Sequence, residues 1–462
     1  MFVIVLDAAS SSFFGVYGDP TGTSPHLDQF AKEAVVFEQA YSQSATTTPS
    51  TASLLTGVRV MTHRTSGKNV LPEQFKTIAQ LFGEQGYRSL ALISNPHAGA
   101  PQLELDRGYD DARMLYAENE LPPGRRVEKS SRFGVVLPED LDAAVAELLP
   151  RLPGGDTYVY VHYLQPHKPY DAPPRYLAEI SREPGACECD GAPCACGDID
   201  WDQLHEKFLE ANETGVTTPS VVEHIKARYR ANLRYVDEYF GRLIEGLREN
   251  DLYDNAVIVV TSDHGDAFFG HARFGHNRTL YDDMVRVPLL MKFPAEVAVE
   301  PRRLSMLVET IDIVPTLFDF LGFDMSPQWE GESLWPLISG SQAEVGPGHR
   351  EVVLATNRFD RQAIRVEDFK YVVSVDGNEE LYDLRSDPEE QVNLAQEQPE
   401  QTRALRERLE RLVARRPAPE VRPSDLRTDP EMDALLEALG YVRGEDDPVE
   451  PKQEAGPSNE SP

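Results

Sequence analysis

Acidic and imidazole side chains directly follow two apolar segments of the sequence, where together they could bind a metal ion. Asp7 comes after the run Phe2–Leu6, and Asp263 and His264 end the segment Val257–Ser262. Carboxylate oxygens and an imidazole nitrogen favour Zn²⁺ or Mn²⁺, with Ca²⁺ as a third candidate for a carboxylate-rich site. The alternative interpretation is that the two aspartates only cap turns, which is common for aspartate in loops.

A threonine-rich segment supplies a candidate nucleophile. Thr47 lies in a run of three threonines ahead of Pro49, and Gly57 closes the segment. Proline in the first turn and glycine just past the end predict a short helix. Its N-terminus would turn N–H groups and the positive end of the helix dipole towards a tetrahedral anion, and a metal would acidify the Thr47 hydroxyl. The alternative is that these threonines simply cap the helix.

Three histidines also follow apolar segments and could contact an anion. They are His97, His167 and His276, with His271 as a less favoured fourth option. An imidazolium ion binds oxyanions or protonates a leaving group near neutral pH. Lys168 adds a positive charge beside His167. A single histidine in such a place is more often an ordinary loop residue, but three of them alongside two aspartates favour an anion site.

The apolar pattern predicts elements that bring these side chains together. Short, continuously apolar runs, as expected of strands buried on both faces, are Phe2–Leu6, Leu90–Ile93, Tyr158–Val161 and Val257–Val260. Amphipathic segments lie between them, for example over residues 138–149 and 220–247. We therefore predict an α/β fold with a mostly parallel central sheet and helices on both faces. Ligand sites in such folds lie at the carboxyl ends of the strands, which is where the candidate residues occur.

The C-terminal part has a different pattern. Short β-branched runs between residues 352 and 382, with the turn pair Asp376-Gly377, predict a small antiparallel sheet, and a charged helix follows near residues 401–412. We divide the chain into a catalytic α/β domain over residues 1–345, which contains a cysteine-bearing insertion at 181–218, and a C-terminal subdomain over 346–442. Residues 443–462 form an acidic, proline-rich tail that we expect to be disordered.

The charge of the chain excludes some classes of partner. Of its 462 residues, 45 are Lys or Arg and 77 are Asp or Glu, which gives a net charge of −32. Such a surface repels nucleic acid and anionic lipid, so we expect no nucleic-acid partner. It also repels phosphate and sulfate, so a site for those anions must supply its own positive field. No apolar run is long enough for a transmembrane segment and no signal peptide is visible, so the compartment stays open.

The four cysteines of the chain lie within ten residues of one another, in the insertion. Cys187, Cys189, Cys194 and Cys196 could form two disulfides or one tetrathiolate zinc site. Either arrangement would staple a loop tip near the rim of the active site rather than take part in catalysis.

From about Phe2 to Val442 the chain resembles the sulfatase family of the alkaline phosphatase superfamily. The motifs that carry the resemblance, in the family's order, include Ser24–Asp28, Ser53–Gly57, Pro166–Pro169, Ser262–Gly265, Arg286–Leu290 and Leu381–Leu384. The resemblance implies an alkaline phosphatase-like fold, one divalent cation and a periplasmic or exported protein. The retained residues are most similar to the soluble domains of phosphoethanolamine and glycerophosphate transferases. That similarity implies a metal bound by Asp7, Thr47, Asp263 and His264, with the threonine as nucleophile.

The departures from the sulfatase pattern affect the expected chemistry. Thr47 stands where the family has the Cys or Ser that becomes formylglycine, Thr51 replaces an arginine, Ala8 a second aspartate and Asn95 a lysine. We expect no formylglycine, because threonine cannot form the geminal diol from which sulfate is eliminated. A phosphothreonine can instead be resolved by a second nucleophile that attacks phosphorus in line.

We therefore predict a metal-dependent hydrolase or transferase in which Thr47 attacks a phosphate-type or sulfate-type ester, phosphodiesters included, with phosphoryl or phosphonyl chemistry favoured. The substrate would be an anionic ester on a small molecule, a glycan or a lipid headgroup. His167 and His276 would contact the anion and one would protonate the leaving alcohol. The predicted substrate-binding residues are His97, Lys168 and Asn95. The alternatives are a true sulfatase that works without formylglycine, and a catalytically silent binder of sulfated or phosphorylated ligands.

Overall fold

The computed structural model describes residues 1–116, 136–152, 155–181, 188–189, 192–193, 201–276, 279–341, 350–356, 358–414, 419–426, 432–433 and 435–436. The strands, numbered along the chain, are β1 (Phe2–Leu6), β2 (Val35–Tyr41), β3 (Arg88–Ile93), β4 (Asp111–Met114), β5 (Thr157–Tyr163), β6 (Glu188–Cys189), β7 (Ala192–Pro193), β8 (Ile258–Thr261), β9 (Ala267–Phe268), β10 (Phe274–Gly275), β11 (Arg286–Val287), β12 (Leu289–Lys292), β13 (Arg302–Glu309), β14 (Glu351–Ala355), β15 (Arg361–Val366), β16 (Phe369–Ser374) and β17 (Glu379–Asp383). The α-helices are α1 (Pro25–Phe30), α2 (Thr47–Thr56), α3 (Val60–His63), α4 (Ile78–Glu84), α5 (Pro96–Gly99), α6 (Pro138–Leu148), α7 (Pro174–Ile180), α8 (Trp201–Thr214), α9 (Pro219–Glu249), α10 (Asp282–Val285), α11 (Ile313–Leu321), α12 (Trp335–Ile338) and α13 (Pro399–Val413).

A central sheet of mixed but mostly parallel strands organises the molecule, as the sequence predicts. Its strand order is β11-β2-β12-β8-β1-β5-β3-β4, with β13 paired to β2. Strand β1 lies between β5 and β8 and is parallel to both, whereas β12 runs antiparallel to β8 and β2. Since β1, β5 and β8 point the same way, their carboxyl ends and the loops that follow them meet at one edge of the sheet.

Helices cover both faces of this sheet because its central strand is apolar on both sides. Phe2, Ile4 and Leu6 belong to one hydrophobic core, which includes residues of α6, α7, α8 and α9. Val3 and Val5 belong to the other, which includes residues of α2, α4 and α11. Each fully buried aliphatic side chain of this kind stabilises the fold by about 1.5–3 kcal/mol. Asp7, which directly follows β1, is therefore held in place by a strand that is packed on both faces.

A second, smaller sheet packs against the edge of the first. Strands β14, β15, β16 and β17 are antiparallel in sequential order, and Gly377 takes a φ of 84° in the turn between the last two. One face shares a core with Tyr41 and Leu307 of the central sheet, and α13 covers the other. This confirms the predicted antiparallel sheet, while the boundary drawn at residue 345 stays a prediction.

Some predicted features fall beyond what the structure describes. The tail at 443–462 lies outside the described residues, as do Cys187, Cys194 and Cys196; Cys189 is described only as part of β6, without its side chain. Within the described part of the chain, no helix combines the length and the apolar character that crossing a bilayer requires.

Candidate metal and anion site

Asp7 lies at the carboxyl end of β1 and is completely buried. Its Oδ2 accepts a hydrogen bond from Asn95 Nδ2 at 2.5 Å and lies 3.0 Å from His162 Nε2. Its Oδ1 has no hydrogen-bond partner. Tyr229 of α9 fixes the loop that follows, because its hydroxyl donates to Ala8 O at 2.8 Å and accepts from Ser10 N at 2.9 Å. One carboxylate oxygen is thus held and the other is available to a ligand.

Asp263 and His264 follow β8 and face Asp7. Asp263 Oδ1 accepts from the backbone N–H groups of Ala8 at 3.1 Å and His264 at 2.9 Å, while its Oδ2 has no hydrogen-bond partner among the described residues and lies 3.6 Å from His264 Nε2. His264 Nδ1 lies 2.8 Å from the carbonyl oxygen of Gly265, which places its proton there and leaves a lone pair on Nε2. Gly265 cannot be replaced cheaply, since a Cβ there would lie 2.3 Å from the carbonyl oxygen of Asp283.

The three side chains fit a divalent cation. One ligand atom from each of Asp7, Asp263 and His264 lies within 4.8 Å of the others, and all three residues are buried. Two buried carboxylate oxygens that accept no hydrogen bond from the described residues are costly unless a positive charge lies near both, and the described group nearest to both is His264 Nε2, at 3.8 and 3.6 Å. The oxygen and nitrogen donors suit Zn²⁺ or Mn²⁺.

Thr47 also lies next to this cluster. It is the first residue of the buried helix α2, and its Oγ1 lies 3.2 Å from His264 Nε2. The turn before the helix is fixed by Ser50 Oγ, which donates to Ser44 O at 2.9 Å. Gly57 ends the helix in the left-handed region with a φ of 69°, so both predicted ends are confirmed. The Thr47 hydroxyl and the positive end of the helix dipole therefore face the acidic cluster.

His167 and His276 lie together next to the same cluster. Their Nε2 atoms are 3.3 Å apart, and the centroid of the His276 ring is 4.5 Å from that of His264. His167 N donates to Asp7 O at 3.1 Å, which ties its loop to the end of β1. His276 Nδ1 lies 3.3 Å from Asp266 Oδ1, and Tyr170 donates its hydroxyl to the other oxygen of that carboxylate.

The elements that carry these two histidines are anchored by side-chain amides. Asn232 of α9 donates to the carbonyl oxygen of Pro169 at 3.0 Å, on the loop of His167. Asn212 of α8 accepts from Phe274 N at 2.7 Å and donates to Phe274 O at 3.0 Å, two residues before His276. Helix α8, which lies inside the predicted insertion, therefore holds one of the site histidines in place.

The remaining predicted residues, His97, Lys168 and His271, lie in three different surroundings. His97 Nδ1 lies 2.8 Å from Thr48 Oγ1, one residue from the candidate nucleophile. The Lys168 ammonium lies 5.7 Å from the centre of the Phe208 ring and lowers the pKa of both His167 and His276, which places it near them. His271 instead stacks on Tyr281, with ring centroids 3.5 Å apart.

Asn95 makes two hydrogen bonds within the protein. Its Nδ2 donates to Asp7, and its Oδ1 accepts from His97 N at 2.9 Å, where it caps the first turn of α5. The residue therefore orients a candidate metal ligand, while its predicted contact with substrate stays a prediction.

Burial and neighbouring charges shift the pKa values of the site in opposite directions. Burial, and then the charge of Asp263, raise the pKa of Asp7. Burial lowers the pKa of His264, but the carboxylates of Asp263 and Asp7 outweigh it and the net pKa is raised. Burial, followed by nearby cationic groups, holds the pKa of His167 and His276 well below the usual value. The imidazolium form expected from sequence is therefore disfavoured for this pair until negative charge binds.

Sequence reasoning missed three residues that support the site: His162, Asp266 and Tyr170. His162 is the one histidine inside the otherwise apolar and aromatic run of β5, and its Nδ1 lies 2.9 Å from Tyr160 Oη. A polar residue in a buried strand that neighbours the strand of Asp7 was the available signal. For Asp266, the signal was its place two residues after His264.

Comparisons with known proteins identify relatives in sequence and in fold. A family model described as Sulfatase matches residues 1–323, and one described as N-sulphoglucosamine sulphohydrolase, C-terminal, matches residues 270–416. The chain is 24% identical over 434 residues to the uncharacterized sulfatase YidJ of Escherichia coli strain K12, which covers 85% of this chain and 82% of the relative. It is 26% identical over 427 residues to arylsulfatase K of Canis lupus familiaris, covering 84% and 77%. The fold is that of the phosphonate monoester hydrolase of Agrobacterium radiobacter, with a TM-score of 0.68, 21% identity and coverage of 89% and 95%.

Proposed function

Because the chain belongs to the sulfatase family, as the match over residues 1–323 shows, we propose that it is a metal-dependent ester hydrolase with Thr47 as its nucleophile. The observation that carries this proposal is the 3.2 Å distance between Thr47 Oγ1 and His264 Nε2, at a buried cluster whose aspartates each keep one oxygen that accepts no hydrogen bond from the described residues. A threonine that merely capped α2 would have no reason to approach a set of metal-type ligands.

The residues that would hold the cation are Asp7, Asp263, His264 and Thr47 itself. When bound, a divalent cation acidifies a coordinated hydroxyl and withdraws charge from an ester oxygen. The chain supplies the orientation: Asn95 and His162 hold Asp7, the backbone of Ala8 holds Asp263, and the Gly265 carbonyl fixes the tautomer of His264. These outer contacts hold the candidate ligand side chains in place.

Threonine as nucleophile favours phosphate or phosphonate esters. Thr47 Oγ would attack phosphorus, the ester alcohol would leave with a proton, and a phosphothreonine would remain. Water then attacks phosphorus on the face opposite the threonine oxygen, which releases phosphate and restores Thr47. A threonine sulfate has no elimination route, because the side chain cannot become an aldehyde hydrate. Because water can resolve a phosphothreonine and a threonine sulfate has no elimination route, we favour hydrolysis of phosphorus esters.

Positive groups around the site would offset the net charge of −32. These are the N-terminus of α2 and the ammonium of Lys168, which adjoin the place where the anion would bind, next to the uncharged rings of His167 and His276. A bound anion would favour protonation of a histidine, and that proton could then pass to the leaving alcohol. His97 lies behind Thr48 and would act by placing the first turn of the helix.

Hydrolysis of sulfate esters without formylglycine is the second candidate. It is favoured by the names of the relatives, since YidJ and arylsulfatase K are both called sulfatases. The substrate in either case would be an anionic ester on a small molecule, a glycan or a lipid headgroup. A third hypothesis, a silent binder of such anions, would explain the loss of the arginine at Thr51 and of the second aspartate at Ala8.

A substrate panel with matched variants tests the proposal. Aryl phosphate, aryl phosphonate, an aryl phosphodiester and aryl sulfate are offered in turn with Zn²⁺, Mn²⁺ and Ca²⁺. Thr47→Ala should lower kcat/KM on the best phosphorus ester by at least about a thousandfold, a loss of ~4 kcal/mol in transition-state stabilisation. Thr56→Ala, the same substitution at the far end of α2, should leave it within about threefold. Turnover of aryl sulfate alone would favour the second candidate, and no turnover with no bound metal would favour the binder.

A further inference from the structure

A short segment of the chain, Tyr281–Val285, holds two parts of the candidate site by backbone hydrogen bonds. Met284 O accepts from Gly265 N at 2.7 Å, directly after the aspartate and the histidine that follow β8. Val285 O accepts from Ser42 N at 2.9 Å, at the start of the loop that leads to the candidate nucleophile. The two acceptors belong to neighbouring peptide units, so a shift of this segment moves the turn of the metal ligands and the nucleophile loop together.

The same segment contacts the hairpin of β9 and β10, which ends next to His276. The ring of His271, at the tip of this hairpin, stacks on Tyr281 with centroids 3.5 Å apart and planes 11° from parallel. Phe269 and Ala272, on either side of His271, take positive φ values of 68° and 56°, a conformation that is unfavourable for residues other than glycine. The stack therefore helps to keep the tip in a shape that it would not adopt by itself.

One hydrophobic core encloses the Tyr281–Val285 segment and the parts that it joins. Ala45 of the nucleophile loop and Ala267 of β9 belong to this core, and all four strands of the small sheet contribute side chains to it. The hydroxyl of Tyr281 also donates to Glu380 Oε2 at 3.0 Å, on β17. The segment thus lies between the small sheet and three parts of the candidate site.

Asp282 attaches this segment to the small sheet. Its Oδ1 accepts from Lys370 Nζ at 2.9 Å and its Oδ2 from Arg365 Nη1 at 3.2 Å, on the two central strands of that sheet. Its Oδ2 also accepts from the hydroxyl of Tyr41 at 2.7 Å, on the last residue of β2. Its own N–H donates to Glu390 Oε2 at 2.6 Å. Hydrogen bonds between charged groups are about twice as strong as neutral ones, so this single carboxylate fixes the segment from both sides.

We propose that Asp282 is a positioning residue for the reaction proposed above. It acts through the Tyr281–Val285 segment and not on the reacting atoms. By holding that segment between the small sheet and β2, it sets the placement of Thr47, His264 and His276 relative to one another. This inference rests on the proposed function, which names the groups that must be aligned. Alignment has a large effect on rate, because a misplacement of about 1 Å can lower catalysis by about a hundredfold.

Steady-state kinetics, with the folded fraction measured in parallel, tests this inference on the full-length protein. Asp282→Asn keeps the size of the side chain and removes the charge that the two cations share. With zinc and the best ester of the substrate panel, kcat per folded molecule should fall by about 10–100-fold, while KM changes by less than about threefold. A residue that only stabilises the fold would lower the folded fraction and leave kcat per folded molecule unchanged.

Asp237→Asn is the matched control. It neutralises another buried carboxylate, which lies on α9 and accepts from the backbone N–H groups of His26 at 3.0 Å and Leu27 at 2.9 Å. These contacts hold α1 against α9 and involve neither the Tyr281–Val285 segment nor the small sheet. The control should therefore lose stability but keep kcat within about threefold of the wild type.

Hydrogen exchange measures the same effect without any reaction. In Asp282→Asn, peptides that contain Ser42 and Gly265 should exchange at least about tenfold faster, because their N–H groups donate to the loosened segment. Peptides from β5 should exchange as in the wild type. This readout stays informative even if the substrate is not among the esters offered.

The outcomes separate this inference from the proposed function. An unchanged kcat per folded molecule in Asp282→Asn would overturn the inference. If the wild type turns over no ester, the proposed function fails, and exchange alone decides: unchanged exchange of both peptides then overturns the inference. If Asp282→Asn does not fold, Tyr41→Phe decides in the same assays, because it removes only the 2.7 Å hydrogen bond to Asp282. We expect Tyr41→Phe to lower kcat by about fivefold or more, as a smaller displacement would, and a wild-type kcat in that variant would contradict the inference.

Discussion

Removing the hydrogen bond from Asn95 to Asp7 tests directly whether Asp7 binds a metal ion. Asp7 Oδ2 has two donors, Asn95 Nδ2 at 2.5 Å and His162 Nε2, while Oδ1 accepts no hydrogen bond from the described residues and would bind the proposed cation. Asn95→Ser removes the first donor, since serine is too short to reach the carboxylate. Serine still caps α5, because it remains a good acceptor for the N–H of His97.

The expected loss can be worked out in two ways that agree. A hydrogen bond to a buried charged group contributes about 1.5–3 kcal/mol. Loss of an outer-shell partner usually lowers metal affinity by about 10–100-fold, which is ~1.4–2.7 kcal/mol. Without this donor the already raised pKa of Asp7 rises further, so protons compete more strongly with the metal and the loss should be larger at pH 6 than at pH 8.

Competition between the protein and a zinc chelator of known affinity measures the effect. Ser94→Ala is the matched control, because it removes a neighbouring buried hydrogen bond, from Ser94 Oγ to His162 O at 2.9 Å, without touching Asp7. It should change zinc affinity by less than about threefold. An Asn95→Ser protein that is folded and binds zinc as tightly as wild type would refute the argument that Asn95 orients a metal ligand.

Three further predictions concern the buried residues His63 and Lys370 and the half-buried Lys168. Burial lowers the pKa of His63 to about 3, so His63 takes up a proton more readily in the unfolded chain than in the folded protein. The stability present above pH 6.5 is therefore lost as pH falls, by about 2 kcal/mol at pH 5. His63→Asn, which keeps an acceptor for Thr65 N, should flatten the pH dependence of urea unfolding, and an unchanged slope would contradict this. Lys370 is fully buried, and its Nζ lies 2.9 Å from Asp282 Oδ1 and 2.8 Å from Glu390 Oε1. Lys370→Met should therefore lower the free energy of unfolding by about 3–5 kcal/mol. A loss below about 1 kcal/mol would show that these ion pairs contribute little. Lys168→Gln should raise KM for an anionic ester by about tenfold (~1.4 kcal/mol) with a smaller change in kcat, and an equal fall in kcat would instead place the ammonium on the reacting group.

The sheet was predictable from sequence because its strands are buried on both faces. Continuous apolar runs identify β1, β3, β5 and β8, and all four are parallel neighbours in the sheet. The antiparallel strand β12 was not predicted, although its residues Leu289–Met291 are as apolar as those of the parallel strands. The direction of a strand depends on how the chain connects to it, and the local pattern of residues does not contain that information. The turn pair Asp376-Gly377 located the small sheet for a local reason, the positive φ that glycine accepts.

The site was predictable where residues directly follow strands and less so elsewhere. Asp7, Asp263 and His264 share one edge because β1 and β8 are parallel neighbours, and Thr47 joins them because it begins a buried helix. The residues that support the candidate site were harder to predict from the sequence. His162 lies within a strand, where a buried polar residue has no distinctive spacing. Burial lowers the pKa of His167 and His276, and this shift could not be predicted because sequence does not report burial.

A covalent intermediate on Thr47 tests the central claim most directly. The protein is mixed with zinc and an excess of the best aryl phosphate from the substrate panel, quenched in acid within the first turnover and digested for mass spectrometry, with Thr47→Ser as a variant that keeps the hydroxyl. We predict a phosphoryl group on the peptide that contains Thr47, and on the corresponding peptide of the variant, which disappears when the reaction is chased before quenching. Steady turnover with no label on that peptide, or with label on another residue, would contradict the assignment of Thr47 as the nucleophile.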